Sequence, residues 1–404
     1  MRVLISGASV AGPVLAYWLD RYRFATTVVE RTPALRHGLG GHAVDLFGHA
    51  ADVVQQMGLL DEIVAARTMI EELTIERTGG RPVHVDLRRL YAGMSDQHVE
   101  ILRGELTRIL SAATAKATNY LFDDSITSLT DDGAGVDVTF EHAKPQRFDL
   151  VIGADGMHSN VRRLTFGPEE SMRRHLGGYL AVYSTPDLGT GMVTHQSVNR
   201  LVATYGVRQT GQSRAAFMFR TAAELEYDYR DKTQQKRLLA REFHDYGWRV
   251  PQLLEHLEAA DDFYFDAIAQ ITLDTWQRGR IGLVGDAGYC PAPAVGGGTS
   301  LAIATAYILA GELATNGPAG LRSYETKVRQ MVDRSRAIGP KVMGSIIPGG
   351  PAALRLIPLA AAVVPRLPTP IQRFIWSQNA VGKALGSTPL PDYSRQLQGS
   401  GRAR

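Results

Sequence analysis

The 404-residue sequence contains only one cysteine, Cys290. A single thiol excludes an intramolecular disulfide framework and is typical of a protein in a reducing compartment. The net charge is also low, because 44 Lys and Arg against 41 Asp and Glu leave a formal charge of +3. This charge is too small to indicate a nucleic-acid partner. Since Met1 leads directly into an apolar strand pattern, without a signal-peptide pattern, we expect a cytoplasmic protein.

Long uninterrupted apolar runs are lacking as well. The most apolar late segment, residues 346–367, is broken by four prolines and carries two arginines. It is a poor candidate for a membrane-spanning helix. We therefore expect residues 338–404 to form a helical cap over the rest of the protein, followed by a loose tail.

The order of strand and helix patterns predicts the fold class. A strand over 2–6, a glycine turn, a helix over 11–21 and a strand over 26–30 are typical of a doubly wound α/β sheet. The middle of the chain changes to short, aromatic-rich strands separated by polar turns, as in an antiparallel sheet. We predict an α/β domain of residues 1–69, 92–175 and 271–337, interrupted by a β-rich substrate domain of residues 70–91 and 176–270.

The first glycine-rich turn lies between the first strand and the first helix, where a dinucleotide-binding turn is required. Ser9 replaces the middle glycine of the usual fingerprint, so the string alone is weak. An acid at the end of the second strand can accept hydrogen bonds from ribose hydroxyls and disfavours a 2′-phosphate, which favours FAD or NAD over NADP. The candidate cofactor-binding residues here are Gly7, Ser9, Val10, Ala11, Gly12, Glu30 and Arg31.

A second glycine-rich segment, residues 282–300, runs from an apolar strand through an acid and two prolines into a helix start. The glycines let backbone N–H groups approach a flat ligand, and the partly positive end of a helix over 300–313 would face the negative edge of a reduced flavin ring. The candidate residues are Asp286, Pro293, Gly296, Gly297, Gly298, Thr299 and Ser300.

A third string, residues 149–162, ends a buried strand in Asp155-Gly156 and continues through Ser159 to Arg162. Taken together and in order, the three strings resemble the class A flavoprotein monooxygenases, the para-hydroxybenzoate hydroxylase-like family, over about residues 1–315. The resemblance implies a tightly held FAD, NADH or NADPH as a transient co-substrate, and hydroxylation through a flavin C4a-hydroperoxide. Because only one dinucleotide fingerprint is present, we expect the reductant to visit the flavin briefly.

The resemblance also implies roles for particular residues. Asp286 would contact the ribityl and pyrophosphate region of FAD, and Asp155 with Gly156 would lie near the pyrophosphate and assist pyridine nucleotide use. Arg103 would reach the FAD, while Arg36 and Gly41 would flank the flavin. Many relatives carry an acidic pair where this chain has 304–306 as Ala-Thr-Ala, which leaves the orientation of the ring open.

The family chemistry calls for an electron-rich acceptor: a phenol, an enol or a polyketide-like ring. Aromatic polyketide hydroxylases and tetracycline-inactivating enzymes are both relatives, and the sequence does not choose between them. No side chain is assigned to catalysis, because the chemistry belongs to the flavin. Candidate substrate contacts are Tyr183, Tyr205, Phe217, Phe219, Arg220 and Pro293, although for each one a place in the core or on the surface is the stronger interpretation.

Two isolated histidines, His42 and His195, are weaker candidates still, and no metal site is expected. The alternatives are a flavoprotein that binds FAD without oxygenating a substrate, such as a cyclase, and a membrane-associated hydroxylase of a quinone pathway. A plain NAD dehydrogenase would not require the Asp155 and Asp286 strings. Besides an aromatic small molecule and O2, no partner is expected, and the protein is a monomer or a homodimer.

Overall fold

The computed structural model describes residues 1–35, 42–94, 98–189, 191–207, 210–293, 297–368, 370–372 and 389–399. Three of the candidate residues, Arg36, Gly41 and Gly296, lie outside these ranges. The strands are β1 (Arg2–Ser6), β2 (Ala25–Glu30), β3 (Ala43–Phe47), β4 (Glu72–Glu76), β5 (Val83–Asp86), β6 (His98–Leu102), β7 (Asn119–Phe122), β8 (Ile126–Asp131), β9 (Val136–Phe140), β10 (Gln146–Phe148), β11 (Leu150–Gly153), β12 (Arg173–Thr185), β13 (Met192–Ser197), β14 (Arg200–Val207), β15 (Gln212–Arg220), β16 (Tyr264–Ile271), β17 (Gln277–Arg278) and β18 (Ile281–Leu283).

The helices are α1 (Ala11–Arg21), α2 (His49–Gln56), α3 (Leu60–Ala65), α4 (Leu87–Met94), α5 (Arg103–Ala112), α6 (Asn160–Phe166), α7 (Lys232–Phe243), α8 (Val250–Leu257), α9 (Asp286–Tyr289), α10 (Gly298–Asn316), α11 (Gly320–Ile346), α12 (Pro351–Val363) and α13 (Ser394–Gly399). The helix expected over 300–313 is therefore longer at both ends. The segment after β18, expected to be a loop, begins with the single helical turn α9.

The first sheet has the strand order β17-β18-β11-β1-β2-β7, parallel except for the β17–β18 pair. Strands β11 and β18 are buried along their whole length, as parallel strands with both faces covered must be. Helices α1 and α10 pack together on this sheet. A separate antiparallel sheet has the strand order β10-β9-β8, and β3 pairs with β6 as a two-stranded ribbon.

The second large sheet has seven strands in the order β16-β12-β15-β14-β13-β4-β5. Two of them, β4 and β5, come from residues 72–86, far earlier in the chain, and β4 joins the sheet by pairing parallel to β13. Side chains alternate along its strands. One face, the outer face, packs under α7 and α8; the other, the inner face, packs against the β3–β6 ribbon, the loop after α9 and α11.

The C-terminal region is helical, as predicted. Helix α11 runs without interruption from Gly320 to Ile346 and so passes the expected start of the cap at residue 338. The tail returns to the first sheet, where the Tyr393 hydroxyl donates to Glu312 of α10 at 2.5 Å. None of the described helices is long and apolar enough to cross a bilayer.

Candidate active site

The three glycine-rich strings meet at one edge of the first sheet. Strands β18, β11, β1 and β2 are adjacent, and the three that carry the strings run parallel, so their carboxyl ends lie side by side. Gly285, at the end of β18, has φ +66°, and a Cβ there would lie 3.3 Å from Ala11 of α1 and 3.4 Å from Ala302 of α10. Both helices therefore begin close to the same point, which is where ligands of doubly wound sheets bind.

The turn after β1 is shaped by two glycines that no other residue could replace without movement. Gly7 has φ +107°, and its Cβ would lie 2.5 Å from the Ala154 carbonyl oxygen at the end of β11. A Cβ on Gly12 would lie 2.0 Å from the Gly7 carbonyl oxygen. The turn is thus pressed between α1 and the neighbouring strand, with Val10 and Ala11 buried inside it.

Glu30, at the end of β2, faces this turn. Its Oε2 accepts from the backbone N–H of Ala8 at 2.9 Å, and its Oε1 accepts from the N–H and hydroxyl of Thr32, each at 3.0 Å. The carboxylate is therefore held at the place where the sequence puts a ribose acceptor. Arg31, the next residue, is exposed.

Arg103, at the first position of α5, reaches the same turn. Its Nη2 and Nε donate to the Ser9 hydroxyl at 3.1 and 3.3 Å, and its backbone N–H donates to the carbonyl of His42. His42 packs on the ring of Tyr264, and burial, together with the positive charge of Arg103, lowers the pKa of His42 to about 4. The replacement of the middle glycine by Ser9 thus supplies an acceptor for Arg103.

The region between the Gly7–Gly12 turn and the start of α10 is called the cleft below. Asp286 lies across it from Arg103, at the first position of α9. A Cβ on Gly298 would lie 3.8 Å from its Oδ1, so the carboxylate is beside the first turn of α10. Burial raises the pKa of Asp286, and the charge of Arg103 opposes that shift. The N-terminus of α10 has no side-chain cap at Gly297, which leaves its backbone N–H groups for a ligand.

The remaining residues of this string have different surroundings. Pro293, Gly297, Gly298 and Thr299 are each partly exposed beside the cleft. The Ser300 hydroxyl, however, accepts from the backbone N–H of Phe47 and donates to the carbonyl of Asp45, both at 3.0 Å. Ser300 therefore fastens strand β3 to α10, and its side chain is not free for a ligand.

Asp155, in the third string, accepts hydrogen bonds from neighbouring elements of the fold. It accepts from the Ser6 hydroxyl at 3.1 Å, the Ser159 hydroxyl at 2.5 Å and two N–H groups at the start of α6. Burial raises its pKa, and these hydrogen bonds act against the rise. Asp155 thus joins β1 to α6, while Gly156 after it has φ +80° and nothing within 4 Å of an added Cβ.

Arg162 connects the third string to the Asp286 string. This fully buried guanidinium donates to the carbonyls of Ala287 at 2.9 Å and Met157 at 2.5 Å, and to Glu169 at 2.7 Å. Next to it, His158 stacks on Tyr229 and bonds to both Glu169 and Asp266. Burial alone would lower the pKa of His158, but the hydrogen bonds and charges of the two acids prevail and raise it to about 9.

Most of the expected substrate contacts are not at the cleft. Tyr183, Phe217 and Phe219 lie on the outer face of the seven-stranded sheet, fully buried under α7 and α8, and the Tyr183 hydroxyl donates to the carbonyl of Leu253 at 2.9 Å. Strand alternation decides this, since 217 and 219 share a face that the helices cover. These three side chains thus belong to the core beneath the helices.

Arg220 and His195 also have structural partners. Arg220 points to the inner face and donates to the Met343 carbonyl at 2.5 Å, so it is bonded to the end of α11. His195 bonds to Tyr246 and Thr78 and stacks on Trp248 at 5.5 Å. Tyr205 also lies on the inner face, where its hydroxyl accepts from the Ala43 N–H of the ribbon at 3.3 Å.

Sequence reasoning missed Arg214, the cross-strand neighbour of Tyr205 on the inner face. Arg214 is fully buried; Nη1 makes one long bond to the Ser213 carbonyl at 3.4 Å, and Nε and Nη2 have no acceptor among the described residues. Burial lowers its pKa, with the charge of Asp262 opposing. Nothing in the sequence marks this arginine among the many others, because its isolation exists only in the folded protein.

Glu100 was missed as well. It lies opposite Asp45 in the ribbon and accepts from the Thr68 hydroxyl at 2.5 Å. Burial first, and the charge of Asp45 second, raise the pKa of Glu100 to about 7. It shares a ribbon face with Leu102, which packs with Tyr205, so the carboxyl faces the sheet side of the cleft. A carboxyl with a pKa near neutrality is suited to accepting a proton at physiological pH.

The chain is similar to a family model and to several known proteins. Residues 1–336 match the family model described as FAD binding domain. The flavin-dependent monooxygenase of Legionella longbeachae is 38% identical over 353 residues, which cover 86% of this chain and 90% of that protein. Protein Rv1260 of Mycobacterium tuberculosis is 43% identical over 356 residues, 86% of this chain and 94% of that protein.

Among solved structures, the tetracycline destructase Tet(55) superposes with a TM-score of 0.82 and 35% identity, over 97% of this chain and 98% of that one. The predicted fold class, an α/β flavin-binding fold with an inserted β-rich sheet and a C-terminal helical segment, is thereby confirmed.

Proposed function

Because the chain belongs to the family of FAD-dependent monooxygenases, we propose that it uses NADH or NADPH and O2 to hydroxylate an electron-rich aromatic or polyketide-like small molecule. The observation that carries the proposal is the meeting of the three strings at one sheet edge, with Gly7, Asp286 and the open end of α10 around one cleft. Similarity to a tetracycline destructase and to monooxygenases supports a multi-ring phenolic or enolic acceptor.

The residues present fit FAD. Glu30 would take the adenosine ribose, the Gly7–Gly12 turn and Arg103 the pyrophosphate, and Asp286 the ribityl chain. The uncapped N–H groups at the start of α10 suit the electron-rich edge of the flavin ring. Bound FAD supplies the redox chemistry, receiving a hydride from the nicotinamide and activating O2; the protein orients the partners and keeps water out.

The inner face supports an acidic acceptor. Two N–H-bearing nitrogens of Arg214 find no acceptor in the described ranges, and a phenolate or enolate oxygen reaching the Tyr205 side of the cleft would satisfy them. Glu100, on the ribbon opposite, is the carboxyl we propose to receive the proton of the acceptor hydroxyl. Loss of that proton makes the ring more electron-rich and hence more reactive towards an electrophilic oxygen donor.

We propose the division into domains that the sequence suggests. Residues 1–69, 92–175 and 271–337 would hold FAD, residues 70–91 and 176–270 would bind the acceptor, and 338–404 would cap the cleft. The bonds from Arg220 to α11 and from Tyr205 to the ribbon support an acceptor site enclosed between these parts.

The test is a screen of phenolic and enolic polyketide-like compounds against the purified holoenzyme. Stopped-flow absorbance follows flavin reduction by NADH and by NADPH with each compound, and mass spectrometry with 18O2 follows product formation. We expect an acceptor that accelerates reduction and leaves with one 18O atom. If FAD is bound yet neither nucleotide reduces it with any compound, a non-oxygenating role such as cyclisation replaces the proposal.

A further inference from the structure

Helix α12 presents apolar side chains to solvent. Leu356 is 62% exposed, Leu359 60% and Val363 46%, and Ile371 beyond the helix is 47% exposed. Positions 356, 359 and 363 follow one another at helical spacing, so they form a continuous stripe roughly 10 Å long. Among the described residues, the other exposed large apolar side chains, such as Leu188 and Val198, are isolated and do not form a stripe.

The opposite side of α12 is already packed. Pro358 and Pro365 are buried, and Ala361 packs against the cluster that contains Leu102 and Tyr205. The core-facing side of α12 is therefore already buried, and the stripe is its solvent-facing side. An apolar stripe on a helix that is fixed to the protein by its other side is typical of an interaction surface.

The charge around the stripe selects the partner. From Pro351 to Pro368, the segment that carries most of the stripe, the sequence has two arginines and no Asp or Glu. Arg355 and Arg366 are exposed at the border of the stripe. The acids on neighbouring elements, Glu71 and Asp86, are paired with the arginines of α4: Arg88 to Glu71 at 3.4 Å and Arg89 to Asp86 at 3.6 Å.

We propose that α12 docks flat on the surface of an anionic phospholipid bilayer. Leu356, Leu359, Val363 and Ile371 would enter the acyl boundary, and Arg355 and Arg366 would extend to the phosphates beside them. The protein does not span the membrane in this arrangement. A second copy of the chain is the other occupant an apolar stripe could take, but two copies would bring their cationic segments together.

The test is vesicle flotation of the full-length holoenzyme with phosphatidylcholine alone and with phosphatidylcholine containing roughly 30% phosphatidylglycerol. We expect binding to the anionic vesicles only, weakened by added salt. The variant L356S/L359S should lose on the order of tenfold or more in partition coefficient, because two leucines no longer enter the lipid. The variant R355Q/R366Q should lose the preference for anionic lipid.

The matched control is L188S/V198S, which removes two apolar side chains that are each 38% exposed and do not belong to the stripe. It should float like the parent, and circular dichroism and FAD absorbance should show all variants folded and loaded. A parent protein that fails to float with anionic vesicles overturns the proposal. So does a dimer in sedimentation velocity that L356S/L359S dissociates, because the stripe then belongs to a second copy.

Discussion

Replacing Gly7 by alanine should weaken FAD binding strongly, whereas a comparable change elsewhere should not. The new Cβ would lie 2.5 Å from the Ala154 carbonyl oxygen, 0.9 Å closer than the 3.4 Å at which ordinary contact begins. The clash is between backbones, and β1 and β11 cannot separate without breaking their parallel ladder at Ser6 and Gly153. The φ of +107° adds strain that an alanine tolerates poorly.

The two effects can be given magnitudes. Backbone strain at such a φ costs about 1–3 kcal/mol, and overpacking in a closed site about 1–3 kcal/mol more. We expect Gly7→Ala to lower the free energy of unfolding of the flavin-free protein by about 2–6 kcal/mol. Displacement of the turn should also remove two hydrogen bonds to the charged pyrophosphate, which at about 1.5 kcal/mol each weakens FAD binding roughly 100-fold.

Gly133→Ala is the matched control. Gly133 has φ +84° in the hairpin between β8 and β9, and nothing lies within 4 Å of an added Cβ. This variant bears only the strain, about 1–2 kcal/mol, and should retain FAD. Urea unfolding of the apoproteins and fluorescence titration with FAD make the comparison. A Gly7→Ala protein that binds FAD as the parent does, and loses no more stability than Gly133→Ala, would refute this account of the turn.

Three further predictions concern buried charges. Glu100 has a folded-state pKa of about 7, above its usual 4.5, so the parent protein should lose stability as pH rises between these values. Relative to the parent, the E100Q variant should gain up to about 3 kcal/mol of unfolding free energy at about pH 8 and little at about pH 4. An equal gain at both pH values would contradict the raised pKa of Glu100. Arg214→Met removes a buried cation two of whose nitrogens lack acceptors among the described residues. Unfolding should therefore require about 1–3 kcal/mol more while acceptor-stimulated NAD(P)H oxidation falls; a destabilised variant would mean that the charge is satisfied. The pKa of His158 is raised from 6.5 to about 9. The stability that protonated His158 gains from its pair with Asp266 is therefore complete below pH 6.5 and is lost as pH rises through about 9. In H158Q, the free energy of urea unfolding should depend less on pH over that range.

Much of the cofactor end of the site follows from local sequence. A strand, a glycine turn and a helix must follow one another closely, so Gly7, Gly12 and Glu30 can be assigned from a window of about thirty residues. The same holds for the strand that delivers Asp286 and for the helix beyond it. Contacts within such units are short in sequence and leave few alternatives.

The acceptor side does not follow in this way. Alternation along β15 places Phe217 and Phe219 on one face and Arg214 on the other, but the pattern does not say which face the helices α7 and α8 will cover. That choice depends on segments tens of residues away, and it places Phe217 and Phe219 under the helices. Glu100 and Ser300 likewise gained their roles from partners far along the chain, Ser300 from Phe47 and Asp45.

The sequence by itself determined the fold class, the family resemblance and the proposed adenosine end of the cofactor site, because each rests on residue types at fixed short spacing. Only the tertiary structure decided which face of the inserted sheet meets the cleft and that Asp155 and Arg162 tie the strings together. It also decided that two buried nitrogens of Arg214 have no acceptor in the described part of the chain. These properties depend on burial and on distances between segments more than a hundred residues apart, which no local pattern contains.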